Sequence, residues 1–137
     1  MKWLEHYRLL SDEHIIQTGN HKIDGGEAAM EELLQAPVRP TAVLTSNDLT
    51  AIGALRAIHK AKLHVPEDIS VIGLDDIDMS KFPQPALTTV RLSRTELAEK
   101  AHDALVASIS GKSQKGREYH VDTHLIVRGS TAGRTTP

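Results

Sequence analysis

The chain has 137 residues, a net charge of −2 and a pI near 6.4, which allows about one domain and argues against a strongly basic nucleic-acid binder. It has no cysteine, which excludes disulfides and thiolate chemistry and fits a reducing cytoplasm. No run reaches the roughly twenty apolar residues of a membrane span, and the opening Met1-Lys2-Trp3-Leu4-Glu5-His6 lacks the apolar stretch of a signal peptide.

Trp3, Leu4, Tyr7 and Leu10, at helical spacing, predict a helix over residues 1–10. Residues 13–18 read as a strand ending at Gly19-Asn20. A helix over 25–34 follows, with Asp24 as its cap, Ala28, Ala29, Leu33 and Leu34 as its apolar side, and Pro37 and Pro40 ending it. Residues 41–45 predict the next strand. Ser46-Asn47-Asp48 is the turn, and Asn47 or Asp48 caps a helix over 48–61. Ala51, Ile52, Ala54, Leu55 and Ile58 cover more than one face of that helix, so one side is free to meet another subunit.

Pro66 fixes its own φ and biases Val65 toward an extended backbone, so the preceding helix must stop. Ile69, Val71 and Ile72 form a β-branched run typical of a buried parallel strand, closed by Gly73. Asp75 and Asp76 then stand at the carboxyl end of that strand, where open α/β sheets bind ligands. Pro83 and Pro85 break residues 78–85 into a loop, and residues 87–92 are extended. Ser93-Arg94-Thr95-Glu96 has capping-box spacing and opens the longest helix, about 94–109. Residues 111–116 form a polar loop. Tyr119, Val121, Thr123, Leu125 and Val127 alternate with polar groups and predict a last strand over 119–127. Residues 134–137 are expected to be disordered. Three strand-then-helix units imply an α/β fold with a parallel sheet.

Val65-Pro66-Glu67-Asp68-Ile69-Ser70-Val71-Ile72-Gly73, followed by Asp75-Asp76, resembles the signature of the lac-repressor/gal-repressor (LacI/GalR) family of bacterial transcription regulators. Arg39-Pro40-Thr41-Ala42-Val43, Ser46-Asn47-Asp48, Ala51-Ile52-Gly53-Ala54-Leu55, Pro85-Ala86-Leu87-Thr88-Thr89-Val90 and Leu125-Ile126-Val127-Arg128-Gly129-Ser130-Thr131 agree with it in order and spacing, over roughly residues 13–131. The resemblance implies one lobe of a periplasmic-binding-protein-like type I fold, a three-layer α/β/α arrangement whose second lobe is largely missing. In that layout residues 1–87 and 119–131 make the carboxyl-terminal lobe, 88–92 cross between lobes, and the helix within 93–110 packs on the missing lobe. No DNA-binding domain is expected within residues 1–137, so DNA would be met only through other parts of a parent protein.

The same resemblance implies that Asp75 accepts hydrogen bonds from hydroxyls of a small polar effector, a sugar or nucleobase-like metabolite. Two adjacent carboxylates on a loop also describe a helix cap or a solvated turn. Asn47 offers two donors and an acceptor for a ligand edge, and an N-cap role is compatible with that. Asn20 and His21 fall where the family covers its ligand, although a solvated loop histidine fits the residues equally. Asn20 replaces an acid, Leu74 an aromatic, and Arg94 stands where some members carry an aromatic, so an anionic effector reaching Arg94 or Arg91 is an alternative.

Eight histidines raise a metal site, but His120 and His124 lie about 13 Å apart on a strand, and His59 and His64 straddle a helix end, so no metal and no cofactor are expected. Gly25-Gly26 is too short for a phosphate loop, and Ser46 and Ser130 lack the nucleophile frame, so no enzyme is expected. The resemblance implies a cytoplasmic effector sensor of the LacI/GalR type that forms a homodimer through helices 25–34 and 48–61. The alternatives are an oligomerisation fragment without effector binding and part of a periplasmic sugar-binding protein.

Overall fold

The computed structural model describes His6, residues 15–111 and residues 118–133. The predicted helix over 1–10 lies outside these residues except at His6, which is helical. Residues 13–14, most of the predicted 111–116 loop and residues 134–137 also lie outside them.

Among the described residues four strands form one sheet in the order β1 (Ala42–Leu44), β2 (Ser70–Asp75), β3 (Thr88–Leu92), β4 (Thr123–Ile126). The first three are parallel and β4 runs antiparallel to β3. Helix α1 (Ile23–Leu34) precedes β1, α2 (Asp48–Lys60) joins β1 to β2, and α3 (Arg94–Ile109) follows β3. A short 3₁₀ turn, Asp78–Lys81, leads out of β2. The fold is mixed α/β, with a mostly parallel sheet, as one lobe of the expected type requires.

The core has three tiers: Met30 and Leu33 of α1, then Ala51, Ala54, Ala57 and Ile58 of α2, then Ile69, Val71 and Leu87 at the sheet. Small residues on α2 let α1 lie close against it. A Cβ on Gly53 would overlap the carbonyl oxygen of Ile23, and one on Gly26 would overlap that of Thr50. The opposite face of the sheet is open, with Leu44 76% exposed. Helix α3 buries none of its residues and presents Leu97, Leu105, Val106 and Ile109 outward.

Three expectations are corrected. The described part of the expected 13–18 strand, residues 15–18, is not a strand: Ile15 is 3₁₀ and 16–18 are irregular, because no strand pairs with them among the described residues and an extended segment needs a partner for its backbone groups. Asp24 is not the cap of α1. The helix already begins at Ile23 after an extended Lys22, which puts Asp24 in the first turn, where its charge suits the helix dipole. The last strand spans only Thr123–Ile126, because its ladder reaches only Thr89–Leu92 of β3. Ser93 caps α3, accepting a hydrogen bond from the Glu96 amide at 3.3 Å, and Asn47 caps α2.

Candidate functional site

The residues singled out in the sequence converge on the carboxyl ends of β1, β2 and β3. Ser46 and Asn47 follow β1, Asp75 ends β2, and Arg91 and Arg94 close β3 and open α3. Asn47 is largely occupied by its capping role. Its Oδ1 accepts from the Thr50 amide at 2.9 Å and the Thr50 hydroxyl at 2.7 Å, and its Nδ2 donates to the His21 carbonyl at 3.0 Å. One Nδ2 hydrogen is left over. His21 sits at φ 61, and its Nδ1 lies 3.1 Å from Ser46 Oγ, so His21, Ser46 and Asn47 form one cluster. Asn20 turns away from it: Oδ1 accepts from the Lys22 amide at 3.0 Å and Nδ2 donates to Asp24 at 3.4 Å.

Asp48, fully buried, locks this corner together. Its Oδ1 accepts from the Thr89 hydroxyl at 2.5 Å, and its Oδ2 accepts from the Ile77 amide at 2.9 Å, joining α2 to β3 and to the acidic loop. Gly73 is required beneath it, because a Cβ there would overlap Asp48 Oδ1.

The two adjacent aspartates are separated by their surroundings. Asp76, whose side chain is 4% exposed, accepts from Arg128 Nη2 on Oδ1 and from Arg91 Nε on Oδ2, each at 2.6 Å. Burial alone would push its pKa up, but the hydrogen bonds and charges of Arg128 and Arg91 outweigh it and hold the carboxyl below the ordinary aspartate value. Asp75 is the reverse. Its side chain makes no hydrogen bond or ion pair among the described residues. Burial, then the neighbouring Asp48 carboxylate, raise its pKa, against a smaller opposing effect from Arg94. Arg94, exposed at the start of α3, likewise has no ion-pair partner among the described residues.

Arg91 is therefore committed to Asp76 rather than free for a ligand. Arg128, which no reading of the site from sequence included, is its principal strut. The only sequence signal was its place in Leu125-Ile126-Val127-Arg128-Gly129-Ser130-Thr131, 52 positions from the carboxylate it serves. Among the described residues no group of three or more His, Asp or Glu side chains is arranged to hold a metal ion, and no helix is long and apolar enough to cross a membrane.

The carboxyl ends of the strands, where Asp75 stands, are where open α/β sheets bind ligands. The chain matches the periplasmic binding protein-like domain family over residues 1–131 and belongs to that family, in the form carried by LacI-type transcription regulators. The ribose operon repressor of Escherichia coli (strain K12) is 42% identical to it over 113 residues, which are 82% of this chain and 34% of that protein. The structure described as a transcriptional regulator CelR–cellobiose complex superposes with a TM-score of 0.87 at 32% identity, over 94% of this chain and 39% of that one. A LacI family transcriptional regulator from Enterococcus faecium with bound ribose gives a TM-score of 0.80 at 30% identity, over 96% and 48%. The chain thus spans about a third of the curated relative's length.

Proposed function

We propose that this chain is the effector-sensing and dimerising part of a cytoplasmic LacI-type bacterial transcription regulator, without enzymatic activity, and that it binds a small polar metabolite of the sugar class. In this assignment residues 1–87 and 119–131 are the carboxyl-terminal lobe, 88–92 the crossover, and 93–110 the helix reaching toward a second lobe. DNA is read by other parts of the parent protein. The observation that carries it is Asp75: a partly buried carboxylate without a partner, at the carboxyl end of an inner strand, while its neighbours Asp48 and Asp76 are fully engaged. Such a group accepts hydrogen bonds from sugar hydroxyls. His21, the spare hydrogen of Asn47, and Arg94 supply the rest of the contact, while Asn20, turned toward Lys22 and Asp24, does not. Relatives solved with cellobiose and with ribose support the ligand class.

The test is a melting and calorimetry screen with D-ribose, cellobiose, nucleosides and phosphorylated sugars. One compound is expected to raise the melting temperature, and Asp75→Asn is expected to weaken its binding about tenfold or more, about 1.4 kcal/mol. Unliganded Asp75→Asn is expected to melt no lower at pH 7 than the unsubstituted chain. Asp75 is a raised acid, so its ionisation costs stability as pH rises from the ordinary aspartate value through the folded value, and asparagine removes that cost. An undiminished shift with Asp75→Asn would refute its role.

We assign the dimer seam to the outer side of α2 and the turn beyond β2. Ile52 and Leu55 of α2, with Met79, Phe82 and Pro83, line an apolar cavity of about 380 Å³, and Phe82 is 78% exposed. The outward residues of α1 include Asp24, Glu31 and Glu32, so that helix contributes only at the rim. Phe82→Asp is expected to convert a dimer to a monomer in light scattering at micromolar concentration, with the circular-dichroism spectrum of the folded chain unchanged and the melting temperature no longer dependent on concentration. A dimer that survives the charge would move the seam elsewhere. The exposed apolar residues of α3 favour one second reading, an interaction module with no effector. A dimer that responds to no compound in the screen would favour it.

A further inference from the structure

We propose that Asp76 is a positioning residue for the site: its carboxylate, bridged between Arg128 and Arg91, fixes the turn that presents Asp75 and ties that turn to the end of β3. The proposal rests on Asp75 being the ligand-facing carboxylate.

Asp75 and Asp76 both lie in the left-handed region, at φ 109 and φ 54. Neither is glycine, and φ 109 is an uncommon value for any side-chain-bearing residue. Such a conformation persists only where surrounding contacts over-determine it. The Asp75 side chain supplies none of those contacts, so its position is inherited from its neighbours. On one side Asp76 Oδ1 takes Arg128 Nη2 at 2.6 Å and the Ser80 hydroxyl at 3.3 Å. Arg128 is itself held by the Leu87 carbonyl at 2.8 Å and Ser80 Oγ at 2.9 Å. On the other side Oδ2 takes Arg91 Nε, and Arg91 is the register partner of Asp75 on the adjacent strand. The following amide, Ile77, is pinned to Asp48.

The two arginines have unequal parts. Arg128 is part-buried and belongs to the fold, while half of the Arg91 side chain is exposed. Arg91 is the adjustable tie. It also joins the site to the strand that leads through Ser93 into α3, so a ligand that moves Asp75 pulls on the approach to that helix through one carboxylate.

Arg91→Gln tests the tie without dismantling the core. The chain is expected to melt within a few degrees of the unsubstituted protein, because exposed ion pairs contribute little to stability. The readout is the Asp75 carboxyl titration, followed by carbon-detected NMR and assigned with Asp75→Asn. If Arg91 positions the turn through Asp76, its removal returns Asp75 to water, and the Asp75 pKa falls toward the ordinary aspartate value. If Arg91 were only a nearby cation, its loss would move the Asp75 pKa up. A rise, or no change, overturns the proposal. Asp76→Asn is expected to move Asp75 in the same direction, with a larger loss of stability; if that variant fails to fold, Arg91→Gln still decides. The titration needs no ligand, so the turn is tested even in a chain that ignores every sugar, and a failed tie leaves the sensing role of Asp75 standing.

Discussion

Arg128→Ala is expected to destabilise the chain by about 3–5 kcal/mol, the range for breaking a buried ion pair by removing one partner. The guanidinium donates to Asp76, Ser80 and the Leu87 carbonyl at once. Its loss leaves a carboxylate that is 4% exposed with Arg91 as its remaining cation, and it removes a donor from two further acceptors. Urea unfolding at pH 7, followed by circular dichroism, should show a lower midpoint with an unchanged slope. The pH dependence identifies the cause. The folded pKa of Asp76 is depressed, so its contribution is present above the ordinary aspartate value of about 3.9 and is lost as pH falls through the folded value. The gap between the two proteins should therefore be widest near neutrality and narrow on acidification. A gap that stays constant to low pH would show that the ion pair is not its source.

Gly53→Ala is expected to cost about 2–3 kcal/mol, although alanine is the better helix former by about 1 kcal/mol. The added Cβ overlaps the Ile23 carbonyl oxygen and comes within 2.6 Å of the Glu27 amide nitrogen. Both are backbone atoms of α1, so neither can swing aside as a side chain would; the helices must part, and Met30 and Leu33 lose their cover. Gly133→Ala is the control, because nothing lies within 4 Å of a Cβ there, and it should change stability by less than about 0.5 kcal/mol. Faster amide exchange confined to α1 would locate the damage. Equal stability of the two variants would sink the close-packing account.

The legible parts of the chain were those with local causes. Asn47 and Ser93 mark their helix starts because a capping side chain bonds an amide three residues on. The apolar run at Ile69, Val71 and Ile72 marks the start of β2, and Ile69 and Val71 are fully buried in the core. The motifs that place the chain among LacI-type regulators lie on these same elements. Residues 15–18 were misread because Ile15 and Ile16 have strand propensity, but a strand also requires a partner, and propensity does not reveal one.

The site itself divides in the same way. That Asp75 would stand at a strand's carboxyl end was readable from the run before it. That Asp75 rather than Asp76 would be left for a ligand was implied only by the family resemblance, because the residues themselves are chemically identical neighbours. What separates them is Arg128, 52 residues away, two positions past the end of β4, and Arg91, delivered by parallel pairing with β2. The sequence by itself determined most of the elements, since caps, periodicity and turn residues act within a few positions of one another, and its motifs carried the family resemblance. Only the tertiary structure decided that Asp76 is the paired carboxylate, because that depends on charges brought together by the folding of the sheet.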